Sequence, residues 1–348
     1  MAKKVYVGMS GGVDSSVTAA LLQEQGFDVT GVYMKNWSQD LPGFICPWKE
    51  DYQDAKRVAV KLGIPFRLYD FEKEYRSQVV DYMIDGYKAG LTPNPDIMCN
   101  QEVKFKLFLE AALADGADMI ATGHYARSNN GQLLAGIDSN KDQSYFLYRI
   151  REQALRQTLM PVGEFEKTQV RAIAKRFGLS TAEKKDSQGI CFVGKVGIKE
   201  FLQQFVKTEP GPIIDQHKNV IGEHDGALFY TIGQRQGLHV GGGLPYYVVG
   251  KDMERNEVYV TTDLQDQRLW SSELALTSVH WINSAPRADT LYHIRTRYRA
   301  ELITVQALEA LPNSSWRVVL TDEVRALTPG QSAVLYDGER VVGGGIVM

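Results

Sequence analysis

The chain is poor in cysteine, with three among 348 residues: Cys46, Cys99 and Cys191. The number is odd and none stands in a C-x-x-C pair, which speaks against a disulfide framework and against a zinc finger. No apolar run approaches the roughly 18 residues of a membrane span, and no signal-peptide core follows Met-Ala-Lys-Lys at the N-terminus. These absences point to a cytoplasmic protein. A basic excess is missing as well, since 39 Lys and Arg against 42 Asp and Glu give a net charge of −3. RNA would have to be met by positive charge gathered on one face. His217 and His224 belong to no Cys/His cluster, so they read as loop decoration rather than metal ligands.

What is present is ordinary globular composition, 44% hydrophobic and 23% charged, in a length that suits two or three domains. Residues 4–9 read as an apolar strand and 15–25 as a helix closed by Gly26. Strands at 27–34, 65–70 and 117–122 alternate with helical patterns at 51–62, 72–87 and 104–114, the signature of a parallel sheet. A hairpin is expected over 124–135 around Asn129-Asn130-Gly131, with helical segments at about 143–158 and 168–177. Past about residue 205 helical patterns fade. Residues 246–250 and 257–261 form another hairpin, and 275–348 reads as short strands of a small β-barrel. The predicted class is α/β, with a parallel-sheet domain over 1–204, a small mixed domain over 205–272 and a barrel over 273–348.

Between the first strand and the first helix stands Ser10-Gly11-Gly12-Val13-Asp14-Ser15-Ser16. Glycines let backbone N–H groups approach phosphate oxygens, the helix N-terminus adds partial positive charge, and the serines add hydroxyl donors. No G-K-[S/T] ending places a lysine at the β/γ-phosphates, and no G-x-G-x-x-G marks a dinucleotide site. Asp14 would repel phosphate, so its expected role is to hold Mg²⁺ or to orient the loop. The segment resembles the PP-loop of N-type ATP pyrophosphatases, which cleave ATP between the α- and β-phosphates and adenylate a substrate oxygen.

Cys99 follows Thr92-Pro93-Asn94-Pro95-Asp96-Ile97-Met98, read as a rigid non-helical loop because of its two prolines. Cys191 lies in Asp186-Ser187-Gln188-Gly189-Ile190-Cys191-Phe192, a second polar loop, where Lys184 and Lys185 would favour a thiolate. With Ala121-Thr122-Gly123-His124-Tyr125, Lys141-Asp142-Gln143-Ser144-Tyr145-Phe146-Leu147, Tyr230-Thr231-Ile232-Gly233-Gln234-Arg235 and Arg297-Tyr298-Arg299, the set resembles the tRNA-specific 2-thiouridylase family along nearly the whole chain. Segment 41–54 departs from that pattern and leaves Cys46 without a role.

The resemblance implies ATP-dependent 2-thiolation of the wobble uridine in tRNAs for Lys, Glu and Gln. ATP would rest on Gly8, Met9, Ser10, Gly11, Gly12, Val13, Asp14 and Ser15, with Met34 and Gly123 beside the adenine. Asn94, Pro95 and Asp96 would touch the target base, with Asp96 as acid or base. Cys191 would carry a persulfide. Cys99 would attack either C2 or the persulfide, the second route leaving a transient Cys99–Cys191 disulfide. Sulfur would come from a cysteine desulfurase, directly or by relay. His124, Lys141, Asp142, Gln143, Arg297, Tyr298, Arg299 and Gln331 would contact tRNA. From the residues alone, His293, Arg295, Arg297 and Arg299 would share one face of a strand and suit a phosphate backbone. Three rivals remain: another PP-loop adenylating synthetase, a non-catalytic tRNA-binding module, and a redox protein switching on the two cysteines.

Overall fold

The structure, a computed structural model, describes residues 2–42, 45–185, 197–241, 243–287 and 289–348. Cys191 and the Asp186–Phe192 motif lie outside the described residues.

β1 (Lys4–Gly8) sends Val5 and Val7 to one face and Tyr6 to the other, and apolar side chains on both faces suit a strand buried on both sides. It is the middle of a parallel sheet formed with β2 (Asp28–Lys35), β3 (Phe66–Asp70), β4 (Met119–Ala121) and, past the hairpin β5 (Ala126–Asn129)–β6 (Gln132–Ala135), β7 (Thr158–Leu159). The order is β3-β2-β1-β4-β7. The chain builds outward from β1 on one side, then returns to build outward through β4 on the other. The carboxyl ends of β1 and β4 therefore flank the topological switch point, where open α/β sheets bind ligands. The helices Val13–Glu24, Trp48–Leu62 and Lys167–Arg176 cover one face.

The other face is not closed by helices alone. Tyr6, Ile120, Phe105 and Phe108 share a core cluster with Tyr145 and Tyr148 and with Val334, Tyr336 and Val341, whose strands belong to the barrel. The barrel comprises β12 (Trp270–Trp281), β13 (His293–Arg295), β14 (Ile303–Ala310), β15 (Trp316–Arg325), β16 (Ser332–Asp337) and β17 (Arg340–Val347), closed by the β12–β17 pairing. Its own interior holds Leu276, Ile294, Val318 and Leu335. The hairpin β5–β6 turns at Asn130 and Gly131 with φ of 49° and 83°, as an Asn-Gly turn should. It pairs with β17 through Leu133 and Leu134, so the first domain lends two strands to the barrel sheet. Between them lies a small mixed sheet of β8 (Gly211–Ile214), β9 (Val220–His224), β10 (Tyr247–Asp252) and β11 (Glu257–Thr261), in the order β10-β11-β8-β9. The α/β class, the small mixed sheet and the closed barrel agree with the sequence reading.

One stretch differs. Residues 143–158 do not form a continuous helix but a 3₁₀ turn, Ser144–Leu147, and a short helix, Glu152–Arg156. Asp142 accepts from both the Ser144 N–H and the Ser144 hydroxyl, each at 3.0 Å, and this local bonding sets the turn.

Candidate active site

The loop after β1 is shaped by what cannot fit beside it. Gly12 sits at the helix N-cap in extended conformation with no side-chain cap, so the first-turn N–H groups are left for an anion. Gly11 has φ of +75°, and a Cβ there would run into the backbone of Asp51. A Cβ on Gly123, which follows β4, would lie 2.7 Å from the Ser15 nitrogen and 2.9 Å from the Asp14 carbonyl carbon. Both close approaches are to main chain, which has little freedom to yield. Gly8 is packed against Met34, whose Cε would be 2.9 Å from an added Cβ. The Ser10 and Ser15 hydroxyls lie 3.3 Å apart, and Ser16 donates to the Gly12 carbonyl at 2.7 Å.

Asp14 turns away from a bare solvent position. Lys167 donates to its two oxygens at 2.7 and 2.8 Å, and the Tyr125 hydroxyl donates at 2.8 Å. The Lys167 ammonium also lies 5.3 Å from the centre of the Tyr125 ring. Of the two roles open to Asp14 in the sequence, orienting the loop suits this arrangement. Direct Mg²⁺ ligation does not fit a carboxylate already held by a lysine and a tyrosine, and among the described residues no His/Cys/Asp/Glu cluster could hold a metal ion. Lys167 thus brings a lysine beside a loop that has none of its own. It stands 153 residues from Asp14, with no loop motif around it, and sequence reasoning missed it.

The segment before Cys99 is the main correction to the sequence reading. It is helical, running through Pro95–Met98 and then through a π-helical stretch, Cys99–Leu107, into the helix Phe108–Ala114. The two features read as loop signals are helix-start signals. The Asn94 side-chain oxygen accepts from the N–H groups of Asp96 and Ile97, and Pro95 occupies the first turn, where a missing N–H costs nothing. Cys99 is consequently only 1% exposed, packed in a cluster with Trp37, Tyr87, Val103 and Phe201. Cys46 lies against the same cluster, donating its thiol to the Trp37 carbonyl at 3.6 Å, and burial pushes its pKa up. Lys184, expected to favour a thiolate at Cys191, is held by Asp51 at 2.8 Å and Asp54 at 2.7 Å.

The scattered motifs interlock. His124, 8% exposed, has Nδ1 2.9 Å from the Thr122 hydroxyl and Nε2 3.4 Å from the Lys104 ammonium, on the helix that carries Cys99. Burial, with the Lys104 charge beside it, holds the His124 pKa well below the usual histidine value, so the ring is neutral at pH 7. Tyr125 connects Asp14 to the next motif, because its N–H donates to the Gln143 side chain at 2.9 Å and its carbonyl accepts the Gln143 N–H at 2.8 Å. Asn100, next to Cys99, donates to the Phe146 carbonyl at 3.1 Å. One network therefore runs from the phosphate loop through Gly123–Tyr125 to the Cys99 helix.

Three family models match in chain order: a tRNA methyl transferase HUP domain over 3–195, a tRNA methyl transferase PRC-barrel domain over 199–262, and an aminomethyltransferase beta-barrel domain over 271–347. The tRNA-specific 2-thiouridylase MnmA of Idiomarina loihiensis is 49% identical over 356 residues, covering 99% of this chain and 96% of that protein. The one of Bacillus subtilis is 46% identical over 351 residues, covering 99% and 94%. The chain belongs to the tRNA-specific 2-thiouridylase family.

Within this family member, the residues expected to meet RNA are more deeply engaged than their sequence pattern implied. β13 ends at Arg295, so period-2 alternation does not carry on to Arg297 and Arg299, and Arg299 stands at a turn with φ of +63°. The single arginine face is therefore corrected. Arg295 pairs with buried Asp142 at 3.3 Å, Arg297 donates to the Ala326 carbonyl and to the Thr328 hydroxyl, and exposed Arg299 donates to the Asn140 carbonyl at 3.0 Å. Tyr298 packs 4.5 Å from the Phe146 ring, and Lys141 is half-buried on the Asp138–Asp142 turn.

Gln331 donates to the Thr92 carbonyl at 2.8 Å, beside the bond from the Thr92 N–H to the Pro329 carbonyl at 2.9 Å. The Thr92 and Thr231 hydroxyls lie 3.2 Å apart. All three domains thus meet at Thr92, two residues before the cap of the Cys99 helix.

Proposed function

We propose that the protein installs 2-thiouridine at the wobble position of tRNAs for Lys, Glu and Gln, using ATP. The observation that carries this reading is the network joining the phosphate loop at Asp14 to the helix of Cys99, in a chain that matches 2-thiouridylases along 99% of its length. The segment 1–204 would act as the catalytic domain and 273–348 as the RNA-contacting barrel, with 205–272 between them.

ATP phosphates rest on the first-turn N–H groups of the helix after Gly12 and on the Ser10 and Ser15 hydroxyls. Lys167 adds the cation next to the β- and γ-phosphates. Mg²⁺ would enter with ATP and supply neutralisation of the leaving pyrophosphate's charge. The uracil O2 attacks the α-phosphorus and expels pyrophosphate, turning a poor leaving group into AMP. A persulfide on Cys191 then supplies sulfur, charged by a cysteine desulfurase or a relay protein. In one route its terminal sulfur attacks C2, AMP leaves, and the Cys99 thiol cleaves the S–S bond to Cys191. Thiouridine and a Cys99–Cys191 disulfide result, and an external thiol reduces the disulfide. In the other, the Cys99 thiolate attacks the Cys191 sulfur of the persulfide, forming the Cys99–Cys191 disulfide and expelling sulfide, which adds to C2 and displaces AMP. Alternatively, Cys99 first displaces AMP at C2 and is itself displaced by the terminal persulfide sulfur, and then cleaves the S–S bond to Cys191. Asp96, in the first turn of the capped helix, serves as acid or base, with Asn94 and Pro95 beside the flipped base. A cytoplasmic location fits this substrate, and among the described residues no helix is long and apolar enough to cross a membrane.

The test is incubation with ATP, Mg²⁺, cysteine, a cysteine desulfurase, a reducing thiol and unmodified tRNA, followed by nucleoside analysis. The reading predicts 2-thiouridine with wild type and none with Cys99→Ser. Folded, tRNA-binding protein that forms no 2-thiouridine would overturn it. Cys191→Ser that kept desulfurase-dependent activity would overturn the persulfide assignment alone.

A further inference from the structure

β15 ends at Arg325, which no motif marks. Its guanidinium stacks on Tyr247 of the middle domain, 4.6 Å from the ring centre. Its Nε and Nη2 atoms are buried and have no hydrogen-bond partner among the described residues. Buried guanidinium N–H groups are nearly always satisfied in native proteins, because the desolvated donor has lost water without replacement. The next residue, Ala326, has φ of +58°, a conformation that alanine adopts only when its surroundings impose it. Facing it is Gly233, itself at φ +82°, where an added Cβ would come 2.5 Å from the Ala326 Cβ.

The Ala326 carbonyl is taken by a second arginine, Arg297, which also reaches the Thr328 hydroxyl at 2.9 Å and the Ile232 carbonyl at 3.3 Å. Burial, and then the neighbouring Arg325 charge, push the Arg297 pKa down. Two cations thus share one desolvated seam. Of the acids on neighbouring elements, Asp266 is paired with Arg268 at 2.6 Å and Asp142 with Arg295 at 3.3 Å, while Asp322 and Glu323 on β15 itself are exposed.

Like charges, open donors and a strained backbone are explained together by an anion. We propose that Arg325 and Arg297 form a phosphate site at the seam between the middle domain and the barrel, filled by one backbone phosphate of the RNA substrate. The inference rests on the reading that the substrate is tRNA. A ring stacked on the guanidinium plane fixes its orientation and leaves the Nε–Nη2 edge for the paired oxygens of a phosphodiester. In the unbound protein that edge is buried, so binding includes opening the seam. A chain of net charge −3 needs such local sites to hold RNA.

The test uses the full chain and an unmodified tRNA transcript, with Kd measured by anisotropy over a KCl series. Thermal unfolding is followed with and without inorganic phosphate. Arg325→Gln should weaken binding about tenfold at about 100 mM KCl and lower the log–log salt slope by about one. Its Tm without ligand should equal or exceed that of wild type, since an unsatisfied buried charge has been removed. Arg287→Gln, at an exposed pair with Asp289, should change neither quantity. If Arg325→Gln does not fold, Arg325→Lys, which keeps the charge and loses the fork, is expected to show a smaller loss of affinity.

A lowered Tm with unchanged RNA affinity would make the arginine structural and overturn the proposal. A Tm raised by inorganic phosphate only in wild type, with the salt slope unchanged, would assign the site to a free anion and overturn the RNA source. Wild type that binds tRNA through this site but forms no 2-thiouridine sinks the thiolation reading and leaves the seam. Wild type that thiolates while Arg325→Gln binds identically sinks the seam and leaves the reading.

Discussion

The phosphate loop and the junction at Thr92 both press main chain on main chain, the junction where Gly330 lies against Thr92, but the junction adds side-chain clamps. Around the loop, Gly11 and Gly123 let main chain lie against main chain, at Asp51 and at Ser15. Around Thr92 and Arg297, side chains reach across to carbonyl groups, from Gln331 to Thr92 and from Arg297 to Ala326. Backbone contacts have no rotamer through which to relax, whereas a side-chain clamp can lengthen or exchange with water. The loop is therefore built as a fixed template, and the junction adds adjustable clamps to a main-chain contact. This suits a small constant ligand on one side and a large RNA on the other.

Gly123→Ala should be the most damaging single change. The new methyl group would press on Ser15 and Asp14, and a displacement of about 1 Å at reacting groups costs on the order of 100-fold in rate. ATP-dependent pyrophosphate release should fall by that order, while tRNA binding at the barrel persists. Retention of release within about threefold of wild type would show that the template can yield after all. Next in size is Lys167→Met. Loss of a charge-assisted contact of about 1.5–3 kcal/mol should raise the KM for ATP roughly tenfold to hundredfold, with Lys167→Arg giving part of it back. An unchanged KM would leave Lys167 as a partner of Asp14 alone.

Asn94 separates the two halves of the comparison, because it was expected at the target base and is found capping the Cys99 helix. Asn94→Ala should cost about 1 kcal/mol in stability and lower turnover several-fold, while Asn94→Asp, an equally good cap, should restore both. If Asp restores stability but not turnover, the amide also acts on the base.

The same residue shows what was legible in the sequence. The PP-loop could be read because its anion-binding parts are contiguous, and the parallel sheet because its strands carry continuous apolar runs. The Asn94-Pro95 pair was misread because a proline after an asparagine marks a turn as well as a helix start, and the longer helical pattern that decides begins only at residue 104. Lys167 and the Thr92–Gln331 bond could not be read at all, since they depend on segments far apart in the chain that only the folded sheet and barrel bring together. The arginine face failed for a related reason: strand periodicity says nothing about where β13 stops.

The smallest effect concerns His124, which belongs to both regions, beside Gly123 on one side and bonded toward the Cys99 helix on the other. Its folded-state pKa lies well below 6.5, because burial and then Lys104 disfavour the charged ring. Below pH 6.5 the unfolded chain therefore takes up a proton that the folded chain refuses, and stability is lost as pH falls. His280 and His224, both depressed chiefly by burial, act in the same direction. Each such group contributes a slope of at most about 1.4 kcal/mol per pH unit. Denaturation of wild type and His124→Gln between about pH 7.5 and 5.5 should give curves that diverge on the acid side, with wild type losing more. Parallel curves would mean that the ring accepts its proton in the folded state. His124 would then be an adjustable contact like those at Thr92, rather than part of the template at the loop.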